Sequence, residues 1–431
     1  MKIQILVAMV GAGSSACVLD YAVGKNPPGQ GGADDSLQTS SGGELTSTAT
    51  SEPTGEADSS TGEPDGVFTC PEGQPHLAPM WATDVPLDEF FRVWTPIGGL
   101  SDGRLVMSGY DDLGGQILWF DGDGQLVGGT IALGANEIIE HNFSVQVASD
   151  DSVVAIGSDG FDRTFVSRTL PDGAAQPHVE LDSHVIASVS EFRLVSDDVV
   201  ALGVTHEDFS PRLVRADIAS GATVWERSLP IGEVWSTLVL KLAVGPGEEI
   251  VAAYGDFSAK TGYKAWRIDN ATGQTLWEIA PPMPEDEQGW LADVIVTPDG
   301  VVLLVEQHNR PEAHVDVSAW GLTDGAPLWS TVIAVDDPQG SPMVEQALIL
   351  GADVLLPVGR VTNYFNTYEP GPVSASLVRM SSSGQVLANE PLALPGLMSG
   401  TPGFKGIIDP CDGLVLFHAR EADPWLFSFA P

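Results

Sequence analysis

The sequence predicts an all-β chain: a seven-bladed β-propeller of four-stranded blades over residues 67–431, closed by an N-terminal outer strand in the last blade. Three observations predict it. The stretch Trp266–Glu278, an apolar strand, a turn through Gly273 and a strand opening toward Trp277, recurs at Asp217–Trp225 and, degenerately, at Thr323–Trp329. A second phrase, apolar strand then acidic or Gly turn then very apolar strand, occurs seven times at a spacing of about 50 residues. Finally, Ala78–Thr83 near the start reads like Ala326–Thr331 deep in the array.

Residues 1–16 have the form of a bacterial signal peptide: Lys2, the apolar run Ile3–Val10, then small residues up to Ala16. Cys17 follows directly. Ser14–Ser15–Ala16–Cys17 resembles the lipobox of bacterial lipoproteins, and the resemblance implies lipidation of Cys17 as the first mature residue. Plain secretion and a buried N-terminal strand are the alternatives. Residues 17–66 are rich in Ser, Thr, Gly and Glu and offer almost nothing to bury. Ordering entropy there goes uncompensated, so a disordered spacer is expected.

From Val67 onward short β-rich runs alternate with Asp, Gly and Pro turns, and no long 3.6-period helix appears. The second-phrase copies start at Leu100, Val147, Val195, Val244, Val296, Leu350 and Asp409. Between them sits the first phrase, so each unit holds four strands. In the fifth unit these are Leu291–Val296, Val301–Glu306, Val315–Leu322 and Pro327–Ile333. The second strand is apolar on both faces, as in Val153–Ile156 and Val301–Val305, which suits the middle of a blade packed between two neighbours. After Leu414–Arg420 and Trp425–Ala430 the last unit lacks its outer strand. Ala78–Thr83 is expected to supply it, because pairing both termini in one blade removes exposed edges. With Cys17 lipidated, Cys70 and Cys411 remain as a pair placed at one end of that closing blade, and a disulfide between them is expected in an exported protein.

Asp217–Trp225 and Asp269–Trp277 resemble the D-x-x-[ST]-G-x-x-x-W tryptophan-docking signature of quinoprotein-type (PQQ-like) propellers; WD40-like repeats are the neighbouring reading. The resemblance implies structural docking roles for Trp225 and Trp277 between adjacent blades. Trp329 stands in the same place in the degenerate copy.

Charge excludes some partners. The chain carries 19 Lys and Arg against 59 Asp and Glu, a net −40, which repels nucleic acid and anionic lipid. A membrane is expected to be touched only through the N-terminal lipid, and no apolar run is long enough to span one. With three cysteines and no CxxC pair, a cysteine-based zinc or redox site is not expected. His178 and His184 lie six apart, as do His308 and His314. Neither spacing matches a common zinc motif, so turn or surface positions are expected. Asp121–Gly124 hints at a calcium loop but reads better as a hairpin turn.

One pattern could carry binding. Polar residues interrupt the first strand of most units in roughly matching register: Gln146, Arg193, Lys241, Asp293, Gln346 and Lys405. First strands line a propeller axis, so these six are expected to ring a central channel. A wet channel tolerating polar residues is the plain reading. A small-molecule or peptide site at its mouth is the functional one, and three cations among the six favour an anionic ligand. The function expected is that of an exported, lipid-anchored, monomeric binding or scaffold module of the cell envelope, engaging a protein or small molecule at a propeller face. No catalytic residues, metal or cofactor are predicted. The alternative is a quinoprotein-like oxidoreductase using PQQ and calcium at the axis.

Overall fold

The computed structural model describes residues 77–84, 92–111, 114–134, 143–159, 163–182, 188–205, 210–231, 238–256, 263–281, 288–310, 313–334, 340–362, 373–394, 404–418 and 425–430. Residues Leu19–Phe68 separate as a unit of their own. They, Cys17 and Cys70 lie outside the described residues. Every regular element among the described residues is a strand.

The strand β1 (Pro79–Asp84) comes first in the chain but belongs to the last blade. Blade I is β2 (Arg92–Gly99), β3 (Leu105–Asp111), β4 (Gly114–Phe120) and β5 (Leu126–Gly134). Blade II is β6 (Phe143–Val147), β7 (Val153–Ser158), β8 (Thr164–Thr169) and β9 (Val179–Glu180). Blade III is β10 (Ser188–Val195), β11 (Asp198–Val204), β12 (Pro211–Asp217) and β13 (Thr223–Ser228). Blade IV is β14 (Leu238–Val244), β15 (Ile250–Asp256), β16 (Tyr263–Ile268) and β17 (Thr275–Ile279). Blade V is β18 (Gln288–Val296), β19 (Val301–Arg310), β20 (His314–Gly321) and β21 (Pro327–Ala334). In blade VI the innermost strand is split into β22 (Gly340–Met343) and β23 (Leu348–Leu350), both pairing with β24 (Asp353–Thr362). That blade continues through β25 (Val373–Ser381) and β26 (Val386–Pro391). Blade VII is β27 (Lys405–Ile408), β28 (Leu414–His418) and β29 (Trp425–Phe429), with β1 outermost. The chain is thus a seven-bladed β-propeller, and the expected closure is present: Pro79 pairs with Phe429 and Asp84 with Trp425.

The core follows from strand alternation. Successive side chains point to opposite faces, so each blade feeds two seams. Seven hydrophobic clusters result, one at each seam between neighbouring blades. In β19, Leu303 and Val305 pack toward blade VI while Val302 and Leu304 pack toward blade IV. Second strands are therefore apolar on both faces, and all six residues of β7 are buried.

Tryptophans on outer strands dock onto the next blade. The Trp225 indole donates to Asn270 O at 2.7 Å, Trp277 to Leu322 O at 2.8 Å, and Trp329 to Ser382 O at 3.0 Å. Trp81, in the borrowed strand, donates likewise to Gly122 O at 3.1 Å. Each acceptor lies in the turn before the neighbour's outer strand. The turn needs a left-handed residue, and glycine supplies it: Gly273 has φ +69°, and a Cβ there would lie 2.8 Å from the Trp225 ring. Asp121–Gly124 is such a turn, capped by Asp121 Oδ1 accepting from Gln125 N at 2.8 Å.

Candidate functional site

The six polar positions singled out along the first strands come from the innermost strands of blades II to VII, nearest the axis. Gln146 is on β6, Arg193 on β10, Lys241 on β14 and Asp293 on β18; Gln346 lies between β22 and β23, and Lys405 opens β27. An innermost strand has no strand beyond it, so N–H and C=O groups on its free edge need other partners. Side chains of the neighbouring blade provide them. Gln146 reaches blade III, its Nε2 donating to Phe192 O at 2.7 Å and its Oε1 accepting from Leu194 N at 3.2 Å. Glu191 on β10 reaches blade IV, its Oε2 accepting from Leu242 N at 2.6 Å. Asp293 reaches blade VI, its Oδ2 accepting from Ala347 N at 2.7 Å. Gln346 reaches blade VII, its Oε1 accepting from Gly406 N at 3.0 Å. Together these bonds form a partial belt that ties inner strands at four of the seven seams, II–III, III–IV, V–VI and VI–VII.

The charges of the belt face one another. Arg193 Nη2 pairs with Glu191 Oε1 at 2.6 Å. Lys241 Nζ donates to Glu345 O at 3.3 Å, reaching from blade IV past blade V to blade VI. Asp293 is 4% exposed and Glu345 8% exposed. Burial raises the carboxyl of Asp293 above its ordinary value, with Lys241 acting the other way. Burial likewise raises Glu345, opposed by Lys405 and Lys241, and burial lowers the ammonium of Lys405, opposed by Glu345. Three basic side chains therefore meet three carboxyl groups. Glu191 and Glu345 were not among the positions picked from sequence, although one lies two residues from Arg193 and the other adjoins Gln346. Without them the axis reads as cationic; with them its charges are matched within the chain.

A second cluster lies on blade V. Glu306 pairs with Asp316 and His308 with His314 across β19 and β20. The sequence reading expected turn or surface histidines, but His308 is 2% exposed. The signal that could have found the pair is symmetry: both residues lie three positions from residue 311, the midpoint of the connection. The other pair differs, since His178 packs edge-on against Phe165 at 5.5 Å and His184 lies outside the described residues.

No family model and no curated sequence matches the chain. Solved structures do. Hydrazine synthase of Kuenenia stuttgartiensis matches with a TM-score of 0.51 at 12% identity, over 84% of this chain and 97% of that one. The WD40 domain of Toxoplasma gondii coronin matches with 0.50 at 11% identity, over 81% and 88%. A quinohemoprotein alcohol dehydrogenase of Pseudomonas putida HK5 matches with 0.42 at 11% identity, over 76% and 65%. These likenesses are of fold.

Proposed function

We propose that the chain is an exported, lipid-anchored propeller that acts as a non-catalytic binding or scaffold module, held at the cell envelope through Cys17 and a spacer of residues 17–66. The observation that supports it is the belt. Gln146, Glu191, Asp293 and Gln346 are engaged in joining blades, Arg193 pairs with Glu191, and Lys241 and Lys405 lie within electrostatic reach of Asp293 and Glu345 of the same chain. Polar residues at the axis thus have a structural employment that a reactive centre does not require. The outer strands also offer apolar contact to a protein partner: Val224, Leu276, Leu328 and Val332 are 49%, 51%, 53% and 62% exposed.

Closure by a Cys70–Cys411 disulfide belongs to the same reading. Cys411 sits in the turn between β27 and β28, and Asp412 of that turn lines one cavity with Leu77, just ahead of β1. A bond there would link the chain ahead of the borrowed strand to its own blade.

Mass spectrometry of the protein purified from bacterial membranes tests the anchor; a diacylated Cys17 is expected, and an unmodified N-terminus elsewhere rejects it. Titration of the purified chain with PQQ and Ca²⁺ tests the absence of catalysis. No saturable binding is expected, and stoichiometric PQQ binding would favour the oxidoreductase instead. Thiol titration of the oxidised protein should find neither Cys70 nor Cys411 reactive.

A further inference from the structure

Antiparallel pairing assembles a ligand set on blade V. Residues two apart on a strand share a face, so Glu306 and His308 of β19 stand over Asp316 and His314 of β20 as a square of side chains. That face is the one directed toward blade IV, where Val302 and Leu304 pack with Tyr263. His308 Nε2 lies 3.8 Å from Glu306 Oε2 and 3.7 Å from Asp316 Oδ2, and His314 Nε2 lies 3.6 Å from Asp316 Oδ1. One ligand atom each from His308, His314 and Asp316 falls within 4.8 Å of the other two. The imidazoles are stacked, their centroids 4.5 Å apart and their planes 4° from parallel.

This arrangement carries an electrostatic problem. Two carboxylates directly opposite on a ladder repel, and here one of them, Glu306, is only 9% exposed. Protonating both histidines would answer the carboxylates but set two cations face to face. A divalent cation answers both at once, because it takes neutral imidazoles and ionised carboxylates together. Two imidazole nitrogens and carboxylate oxygens are the donors of borderline metals such as zinc, rather than the all-oxygen set of calcium or magnesium. In a tetrahedral site with bonds of about 2.0–2.1 Å the donors stand about 3.3 Å apart. The three contacts above exceed that by a few tenths of an ångström, while one ligand atom from each of His308, His314 and Asp316 is held only to within 4.8 Å of the others. Because a metal lies in the plane of each imidazole it binds, loading the site requires the two stacked rings to turn until their lone pairs converge. A surrounding shell is also present. The Tyr263 hydroxyl, from blade IV in the same seam, is hydrogen-bonded with Ser318 Oγ at 3.0 Å and reaches the neighbourhood of Glu306. Gly289 stands beside His308, where a Cβ would come within 2.5 Å of the imidazole, so the backbone leaves room for the ring.

We propose that Glu306, His308, His314 and Asp316 form a binding site for a divalent first-row transition metal of the zinc type, at the seam of blades IV and V. His308, His314 and Asp316 converge as three donors, and Glu306, 3.8 Å from His308 Nε2, is the fourth that would close the coordination sphere and make the site structural in kind.

The test is metal binding by the purified full-length chain after chelator treatment, in moderate salt to suppress loose cation association with so acidic a surface. Titration calorimetry with Zn²⁺ alone should give one equivalent bound that excess Mg²⁺ or Ca²⁺ does not displace. Co²⁺ should bind competitively with Zn²⁺ and show the visible absorption of a four-coordinate site. His314→Ala should weaken Zn²⁺ binding at least about 100-fold, and Tyr263→Phe about 10-fold, since loss of an outer-shell partner costs 10–100-fold. His314 is partly exposed, so the variant should keep its circular dichroism. His308→Gln with His314→Gln provides a second, isosteric removal. Absence of a tight equivalent, or Zn²⁺ binding equal in the wild type and in the two folded histidine variants, would overturn the proposal.

Discussion

The docking of Trp225 onto Gly273 can be measured as a coupling between two blades. Trp225 is 8% exposed, and its Nε1 donates to Asn270 O at 2.7 Å. Trp225→Ala removes a buried indole and one hydrogen bond, a loss of about 3–5 kcal/mol for large-to-small core changes. Gly273→Ala meets two penalties. The residue has φ +69°, where a Cβ costs about 1–2 kcal/mol. The new methyl also lies 2.8 Å from the Trp225 ring, so the ring or turn must shift, an overpacking cost of about 1–3 kcal/mol. Only the second penalty depends on the indole. Gly273→Ala should therefore cost about 2–5 kcal/mol in the wild type and about 1–2 kcal/mol beside Trp225→Ala, a coupling of about 1–3 kcal/mol. Trp225→Phe separates packing from hydrogen bonding and should cost about 1 kcal/mol more than its lost area, the net worth of one bond. Urea unfolding followed by far-ultraviolet circular dichroism gives all of these without relying on the fluorescence of the deleted residue. Equal cost of Gly273→Ala in both backgrounds would refute the contact as an energetic one.

Three further outcomes follow from the seams, the belt and the turns. Ala388, beside Arg379 on β26, occupies the register that Trp225 and Trp277 hold beside Arg215 and Arg267, and a cavity of about 140 Å³ opens there. Ala388→Leu should raise stability by about 1 kcal/mol against an upper bound near 3 kcal/mol from cavity volume, and a lower melting temperature would show that space to be already filled. Glu191→Ala strips Leu242 N and Arg193 of their carboxylate and should cost about 2–3 kcal/mol in urea unfolding, with faster amide exchange at Leu242; unchanged exchange there would contradict the belt. At the turns, the Ser220 hydroxyl holds Asp217, and the Thr272 hydroxyl holds Asp269, below the ordinary 3.8. A depressed carboxyl adds stability that is complete above that value and is lost as pH falls through the folded-state pKa. The double variant Asp217→Asn with Asp269→Asn should thus have a shallower decline of melting temperature in acid than the wild type, and parallel declines would remove these turns from the account.

The cavity at Ala388 has a topological cause that joins two of these outcomes. Each docking indole meets the turn before its neighbour's outer strand. Blade VII has no such turn, because its third strand ends at Phe429 and its outer strand, β1, arrives from the other end of the chain. Leu77 N donates to Ala430 O at 3.1 Å where the turn would be. An indole at residue 388 would face this junction of two chain segments. The small side chain and the space beside it fit that missing partner.

The blades, their number, their four-stranded build and the closing strand were legible in the sequence. All rest on local periodicity and on a repeat that the chain states again and again, down to the likeness of Ala78–Thr83 to Ala326–Thr331. Trp225, Trp277 and Trp329 could be marked for the same reason. What stayed hidden depends on which residues meet across distance. The first-strand polar residues could be placed near the axis, but their purpose is set by free backbone edges in other blades, which no local pattern records. Glu191 and Glu345 fell outside the register searched, so three cations looked uncompensated. His308 and His314 read as an unremarkable pair six apart until hairpin register laid one over the other, beside Glu306 and Asp316. Periodicity along the chain determines elements and their order; only packing of one strand's face against another determines which charges and ligands come together.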